Sequence, residues 1–238
     1  MPIPYEDEET SYTELVYERE PYSKILFQLS KEKFQEKNCH LDPDIRMDVL
    51  EKRPDGWKPV FGQCEAASSH LINQGVGVGD LFLFFGLFQA VERDAGGKYQ
   101  FIKTAKPQHI IWGYLQVDEI LKNPTSAEYP WLGKHPHLDK DYKNNVIFVA
   151  RETLSWNKTK KGADVLKYKP SLVLTKEGEG LTTSCWELPD FMRKVKISYH
   201  SENRWEKDYL KSVGRGQEFV FSADENPQII EWVNNLIA

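Results

Sequence analysis

The chain of 238 residues has only three cysteines, Cys39, Cys64 and Cys185, far apart and with no Cys-x-x-Cys pair. That spacing excludes a disulfide scaffold and a zinc ribbon, and it suits a reducing compartment. No apolar stretch approaches the roughly 18 residues that a membrane-spanning helix needs. The first residues, Met1-Pro-Ile-Pro-Tyr-Glu-Asp-Glu-Glu9, are acidic and lack the basic and apolar regions of a signal peptide. The expected location is therefore the cytoplasm, with no membrane partner, and the Asn157-Lys158-Thr159 sequon reads as chance. An excess of basic charge is missing too: 31 Lys and Arg stand against 36 Asp and Glu, a net charge of −5. Binding along a duplex backbone normally needs a basic domain, so any nucleic-acid partner is expected as a nucleotide or base in a pocket. The run Lys158, Lys160, Lys161, Lys167 and Lys169 reads as a solvated face. No repeat or low-complexity tract stands out, and the oligomeric state is not legible.

What is present is an ordinary globular composition, 28% charged and 40% hydrophobic, with 13% aromatic residues and seven Trp. The aromatics serve either a large core or a stacking surface. A chain of this length can bury roughly 70% or more of its surface as one domain, here residues 1–238. Residues 1–20 read as an extended lead-in, 24–29 as a short strand and 31–37 as a helical turn. Residues 63–74 read as a helix with Gly75 as its left-handed C-cap. Leu81–Phe88 is predicted as a strand apolar on both faces and therefore covered on both sides. After a polar insert, residues 109–117 form a second strand. It has Ile111, Leu115 and Val117 on one face and Trp112, Tyr114 and Gln116 on the other, while Gly113 admits a close approach. Further strands are expected at 145–151, 171–175, 196–199 and 217–222. A final amphipathic helix starts at Asn226-Pro227 and carries the stripe Ile229, Ile230, Val233, Leu236 and Ile237. Strands dominate without alternating with helices, so the expected class is α+β, a strongly β core with flanking helices.

The glycines Gly75, Gly77 and Gly79 do not make a phosphate loop. They follow a helix and precede a strand, the reverse of a dinucleotide fingerprint, and no GxxxxGK[ST] occurs. They read as the turn that delivers Asp80. The histidines are His40, His70, His109, His135, His137 and His200. Pro136 pushes His135 toward extended backbone, where His135 and His137 share a side and could ligate one ion. A third ligand would come from Asp139, or from His40, Asp42 or Asp44; the alternative is a proline-stiffened loop whose imidazoles bond to backbone. His40 or His70 could instead act as a general base oriented by Asp42, Asp44 or Asp80. Cys64, at a helix start, is a candidate nucleophile. Arg215 and Gln217, between glycines, suit phosphate or a base edge, or else a plain Arg–carboxylate pair.

Asp80-Leu-Phe-Leu-Phe-Phe85 and Ile111-Trp-Gly-Tyr-Leu-Gln-Val117 are similar in outline to the opening strands of PUA-like, ASCH-like and EVE-like modules, which implies base recognition by analogy. A longer set of segments runs in order along most of the chain. It includes Pro2-Ile-Pro4, His40-Leu-Asp-Pro-Asp44, Phe61-Gly-Gln63, His70-Leu71, Asn73-Gln-Gly-Val-Gly-Val-Gly-Asp80, His109-Ile-Ile-Trp-Gly-Tyr-Leu-Gln116, His135-Pro-His137, Asn145-Val-Ile-Phe-Val-Ala150, Trp186-Glu-Leu-Pro189 and Arg215-Gly-Gln-Glu-Phe-Val220. In this the chain resembles the third of the nucleotide modification associated domain families. The resemblance implies a role around modification of nucleobases or nucleotides, with the reaction, metal and cofactor left open. It implies catalytic roles for His40, Asp42, His70, Asp80, His135 and His137. Nucleotide binding would fall to Gln63, Trp112, Tyr114, Gln116, Arg215 and Gln217. Family members carry a strand segment before Pro-Ile-Pro, so the resemblance also implies that this chain lacks it. Cys64-Glu65 stands where the family has small residues, which removes Cys64 as the family nucleophile. The rival reading is a non-catalytic reader that stacks a modified base on Trp112 and Tyr114. A third is an interaction domain with no ligand.

Overall fold

The computed structural model describes residues 2–31, 33, 37–213 and 218–238, a mostly β chain with three α-helices among the described residues. The α+β class is as expected. The chain divides into two compact units, the first Met1–Phe82, Ala90–Ala105 and Tyr114–Val165, the second Leu83–Gln89, Lys106–Gly113 and Leu166–Ala238.

In the first unit β1 (Ile3–Pro4) is followed by a hairpin of β2 (Val16–Tyr17) and β3 (Glu20–Pro21), then α1 (Tyr22–Leu29) and β4 (Cys39–His40). Residues 24–29, expected as a strand, are helical. Tyr22, Ile25, Leu26 and Leu29 recur at helical spacing, Pro21 precedes the first turn, and Tyr22 and Leu26 pack on a cluster of Tyr12, Leu15, Cys39, Leu41 and Val49. The turn expected over 31–37 falls largely outside the described residues. Next come β5 (Val60–Gln63), α2 (Glu65–Asn73), β6 (Leu81–Phe88), the hairpin β7 (Val91–Arg93) and β8 (Tyr99–Phe101), β9 (Gln108–Lys122), β10 (Val146–Ala150) and β11 (Ala163–Val165). Residues of β6 and β9 belong to both units.

The main sheet has the order β11-β9-β10-β5, with β6 also paired to β9. Strand β10 lies antiparallel to both its neighbours, Ile147 facing Gly62 on one side and Leu121 on the other. All five of its residues are buried, the signature of a strand covered on both faces. Val60, Leu121, Leu132, Leu138, Ile147 and Val149 form the core there. The two-sided burial expected of Leu81–Phe88 is not seen. Phe84 is buried, but most of β6 is half-buried and Leu87 is 62% exposed. The apolar run exceeds what this strand covers. The turn before it is as expected: Gly75 has φ +77, and the Gly77 N–H donates to Asp80 Oδ2 at 2.8 Å.

In the second unit β12 (Cys185–Trp186) pairs with β13 (Leu210–Lys211). Residues 170–172 form a 3-10 turn rather than a strand, because Pro170 withholds a donor. Only Val173 and Thr175 make single bridges, to Ile110 and Trp186. Residues 196–199 make a turn with Tyr199 at φ 62, and 218–222 are irregular, tied to the turn by Ser198 N–H to Val220 O at 2.9 Å. Gln217 lies outside the described residues. Helix α3 (Gln228–Ile237) buries Ile229, Val233, Leu236 and Ile237, and the Asn226 Oδ1 accepts from the Gln228 N–H at 3.0 Å. Pro227 already has helical φ −62 and ψ −20, so Asn226 is the cap, as expected.

Candidate functional site

Three separate segments of the first unit build one polar cluster. Cys39 and Leu41 point into the core, so the alternation of extended backbone turns His40 and Asp42 the other way. Leu132 and Leu138 anchor a loop in the sheet's core, and His135 and His137 lie between them. Strand β5 passes behind with Gly62, whose N–H donates to Asp42 Oδ1 at 2.8 Å. A Cβ on Gly62 would stand 2.2 Å from His137 Cδ2, so the glycine makes room for the imidazoles.

The hydrogen bonds assign the protons. Asn145 Nδ2 donates to His137 O at 2.8 Å and Lys140 O at 3.4 Å, which fixes its amide orientation. Its Oδ1 therefore accepts from His137 Nδ1 at 2.8 Å, and His137 Nε2 keeps a lone pair. His40 Nδ1 donates to the buried Glu8 carboxylate at 3.0 Å, which leaves Nε2 as the ring nitrogen not engaged by Glu8. His135 is the other tautomer: its Nδ1 accepts from the His137 N–H at 3.3 Å, and Nε2 carries the hydrogen. That Nε2 is 3.3 Å from Asp42 Oδ1 but lacks the alignment of a hydrogen bond, so among the described residues it has no partner.

Asp42 Oδ2 is 3.9 Å from His137 Nε2. His40, Asp42 and His137 each offer one ligand atom, all within 4.8 Å of one another. The side chains of Asp42, His135 and His137 are 6%, 1% and 6% exposed, while that of His40 is 29% exposed and forms the open edge. Tyr5, 49% exposed, stands edge-on to His40, and Tyr142 stands edge-on to His137. Burial pushes the pKa of His137 down, opposed by Asp42 and by the bond to Asn145, which keeps the ring neutral at neutral pH.

The other residues singled out in the sequence lie elsewhere. His70 is half-buried on α2, and Asp80 is exposed in its turn. Asp44 holds Arg53 and Trp57 Nε1, and Asp139 accepts from the Ser126 N–H at 3.0 Å. Gln63 ends β5, half-buried, opposite Val146. Tyr114 is buried, its hydroxyl donating to Lys161 O. Gln116 is buried too, its amide bonded to Gly79 O, Ser155 Oγ and the Ser155 N–H. Trp112, in the second unit, stacks on Phe84 at 5.7 Å between ring centroids. Arg215 and Gln217 lie outside the described residues. Burial, then the charges of Glu65 and Asp42, push the Cys64 thiol up, opposite to what a nucleophile needs. Glu8, Asn145, Tyr5 and Tyr142 were not singled out. Asn145 opens a recognisable strand, but nothing in the acidic lead-in separates Glu8 from Glu6 or Glu9.

A family model described as nucleotide modification associated domain 3 matches residues 1–222. No curated protein and no solved structure matches the chain.

Proposed function

The chain belongs to the nucleotide modification associated domain 3 family, and from that premise we propose that it acts chemically on a nucleotide or an extruded nucleobase at the His40–Asp42–His137 cluster. One observation carries this reading. One ring nitrogen each of His40 and His137 and one Asp42 carboxylate oxygen lie within 4.8 Å of one another although they come from remote segments, and each imidazole is oriented through Nδ1 by a buried partner, Glu8 or Asn145. A loop serving only stability would not need to gather these groups beside a buried imidazole nitrogen, His135 Nε2, that has no hydrogen-bond partner among the described residues. The exposed edge of His40 is the side from which a substrate reaches the cluster, and the Tyr5 ring beside it offers a face on which a base can stack. Because the family match runs across both units, the proposal treats residues 1–222 as one functional module.

The reader reading has less support. Tyr114 and Gln116 already spend their polar groups inside the first unit, which leaves Trp112 as its platform. No helix among the described residues is long and apolar enough to cross a membrane.

The test is to incubate the full chain with nucleotides and with single-stranded oligonucleotides, then to follow nucleoside masses. A mass change is expected that Asp42→Asn abolishes while the melting temperature holds. The asparagine Oδ1 can still accept from the Gly62 N–H, so folding is spared. Conversion that proceeds equally in Asp42→Asn would overturn the assignment, and so would a chain that neither binds nor converts any of these compounds.

A further inference from the structure

We propose that His40, Asp42 and His137 bind one divalent transition-metal ion, the histidines through Nε2 and the aspartate through Oδ2, with the remaining coordination positions facing the exposed edge of His40. The inference deepens the proposed function and rests on it for what would fill those positions, but the ion itself is tested alone.

Four observations lead there. The first is a proton count. His40 and His137 both have Nδ1 committed, to Glu8 and Asn145, which leaves Nε2 of each ring as the nitrogen available to an ion. An acceptor 3.9 Å from a carboxylate oxygen in a buried site is not a hydrogen bond. A cation placed between the Asp42 carboxylate and the His137 lone pair would be ligated by both.

The second is distance. Bonds of 2.0–2.2 Å in a tetrahedron put neighbouring ligand atoms about 3.4 Å apart. The 3.9 Å separation, and the 4.8 Å limit on the whole set, exceed that by what small side-chain rotations supply.

The third is the surrounding shell. Metal-bound histidines characteristically donate their other N–H to a carboxylate or carbonyl oxygen, which sets the tautomer and raises basicity. Glu8 does this for His40 and the Asn145 amide does it for His137.

The fourth is the unpartnered His135 Nε2–H, whose side chain is 1% exposed and lies 3.3 Å from Asp42 Oδ1. If Oδ2 turns onto an ion, Oδ1 remains to accept from the Gly62 N–H and from His135. That alignment would satisfy the one buried imidazole donor left over in the cluster.

The donor set also selects the ion. Two imidazoles and one carboxylate suit zinc, iron(II) or cobalt(II). Magnesium and calcium prefer all-oxygen shells, and copper(I) prefers sulfur.

The experiment strips the full chain with a chelator and titrates zinc(II), cobalt(II) and magnesium(II), reading heat and, for cobalt, visible absorption. One zinc or cobalt ion per chain is expected, with no magnesium uptake at comparable concentrations. Asp42→Asn should weaken uptake by at least about 100-fold. Glu8→Gln and Asn145→Ala should each weaken it about 10–100-fold, the range for partners of ligating histidines. His200→Gln, in the second unit, should leave it unchanged. The Glu8→Gln variant keeps shape and hydrogen-bond acceptance, so its result stands even if Asn145→Ala fails to fold. Absence of saturable zinc or cobalt uptake would overturn the proposal, as would equal affinity in Asp42→Asn. Nucleotide conversion that survives stripping would sink the metal and keep the proposed function. Stoichiometric metal uptake with no response to any nucleotide would do the reverse.

Discussion

Replacing Gly62 by alanine tests whether the imidazoles are held by close contact with β5. The added Cβ would lie 2.2 Å from His137 Cδ2, 2.5 Å from Cγ and 3.0 Å from His135 Cε1. Carbon atoms in contact sit about 3.5–4.0 Å apart, so the His137 ring must retreat by well over 1 Å. A retreat of that size breaks its 2.8 Å bond to Asn145. Overpacking costs about 1–3 kcal/mol and a lost buried hydrogen bond about 1 kcal/mol more. A total near 3 kcal/mol corresponds to a fall of about 6–12 °C in melting temperature for a chain of this size. Scanning calorimetry on Gly62→Ala reads it directly, with Gly77→Ala as the control. The nearest atom to a Cβ on Gly77 is the Gly75 carbonyl at 3.8 Å, an ordinary contact, so that variant should melt close to the parent. If Gly62→Ala melts with Gly77→Ala, the ring positions derived above are wrong.

Two further outcomes follow from groups outside the cluster. Asp44 and Arg53 form a buried bidentate pair, Nη2 to Oδ1 at 2.7 Å, with the guanidinium 4.1 Å over the Trp57 ring. Asp44→Ala strands a buried cation and should cost about 3–5 kcal/mol in denaturant unfolding, whereas Asp44→Leu with Arg53→Met should recover most of it; equal losses in both would refute the pairing. His109 Nδ1 accepts from Trp186 Nε1 at 2.9 Å, which requires a neutral ring, and burial lowers its pKa. Its folded value lies below its unfolded one, so the unfolded state takes up the proton first. The stability this contributes is complete above about pH 6.5 and is lost as pH falls below it. Melting temperature and Trp fluorescence should both fall between pH 7.5 and 5.5, the change shrinking in His109→Gln; a flat profile would count against the assigned tautomer.

The parts of the fold that were legible are those whose signal is local. Asn226-Pro227 followed by a helical apolar stripe specifies α3 because the cap, the ring and the period act within a few residues. Gly75 is likewise read correctly, since only the left-handed region is at issue. Residues 24–29 failed because six residues hold too few turns to separate a 3.6 period from alternation, and the cluster around Tyr12 and Leu15 that decides the matter is tertiary. The over-reading of β6 has the same root. Seven apolar side chains in eight residues state what the strand could bury, whereas exposure depends on which elements reach it, and Leu87 meets none that cover it.

For the site, spacing carried direction but not meeting. In His135-Pro-His137, residues two apart turn the same way, so that pair was readable as a possible ligand pair, with His40 or Asp42 among the candidates for a third ligand. Nothing local says that the loop anchored by Leu132 and Leu138 brings that pair onto His40 and Asp42. The partners that make the arrangement chemically specific were less legible still. Glu8 matters because it takes the Nδ1 hydrogen of His40, and Asn145 because its amide is turned by two carbonyls to take that of His137. Both decide which nitrogen of a distant ring is engaged and which is left over. That property belongs to a hydrogen bond rather than to a residue type. A carboxylate in an acidic lead-in and an asparagine at a strand start therefore become parts of a site only when the rings they face are known.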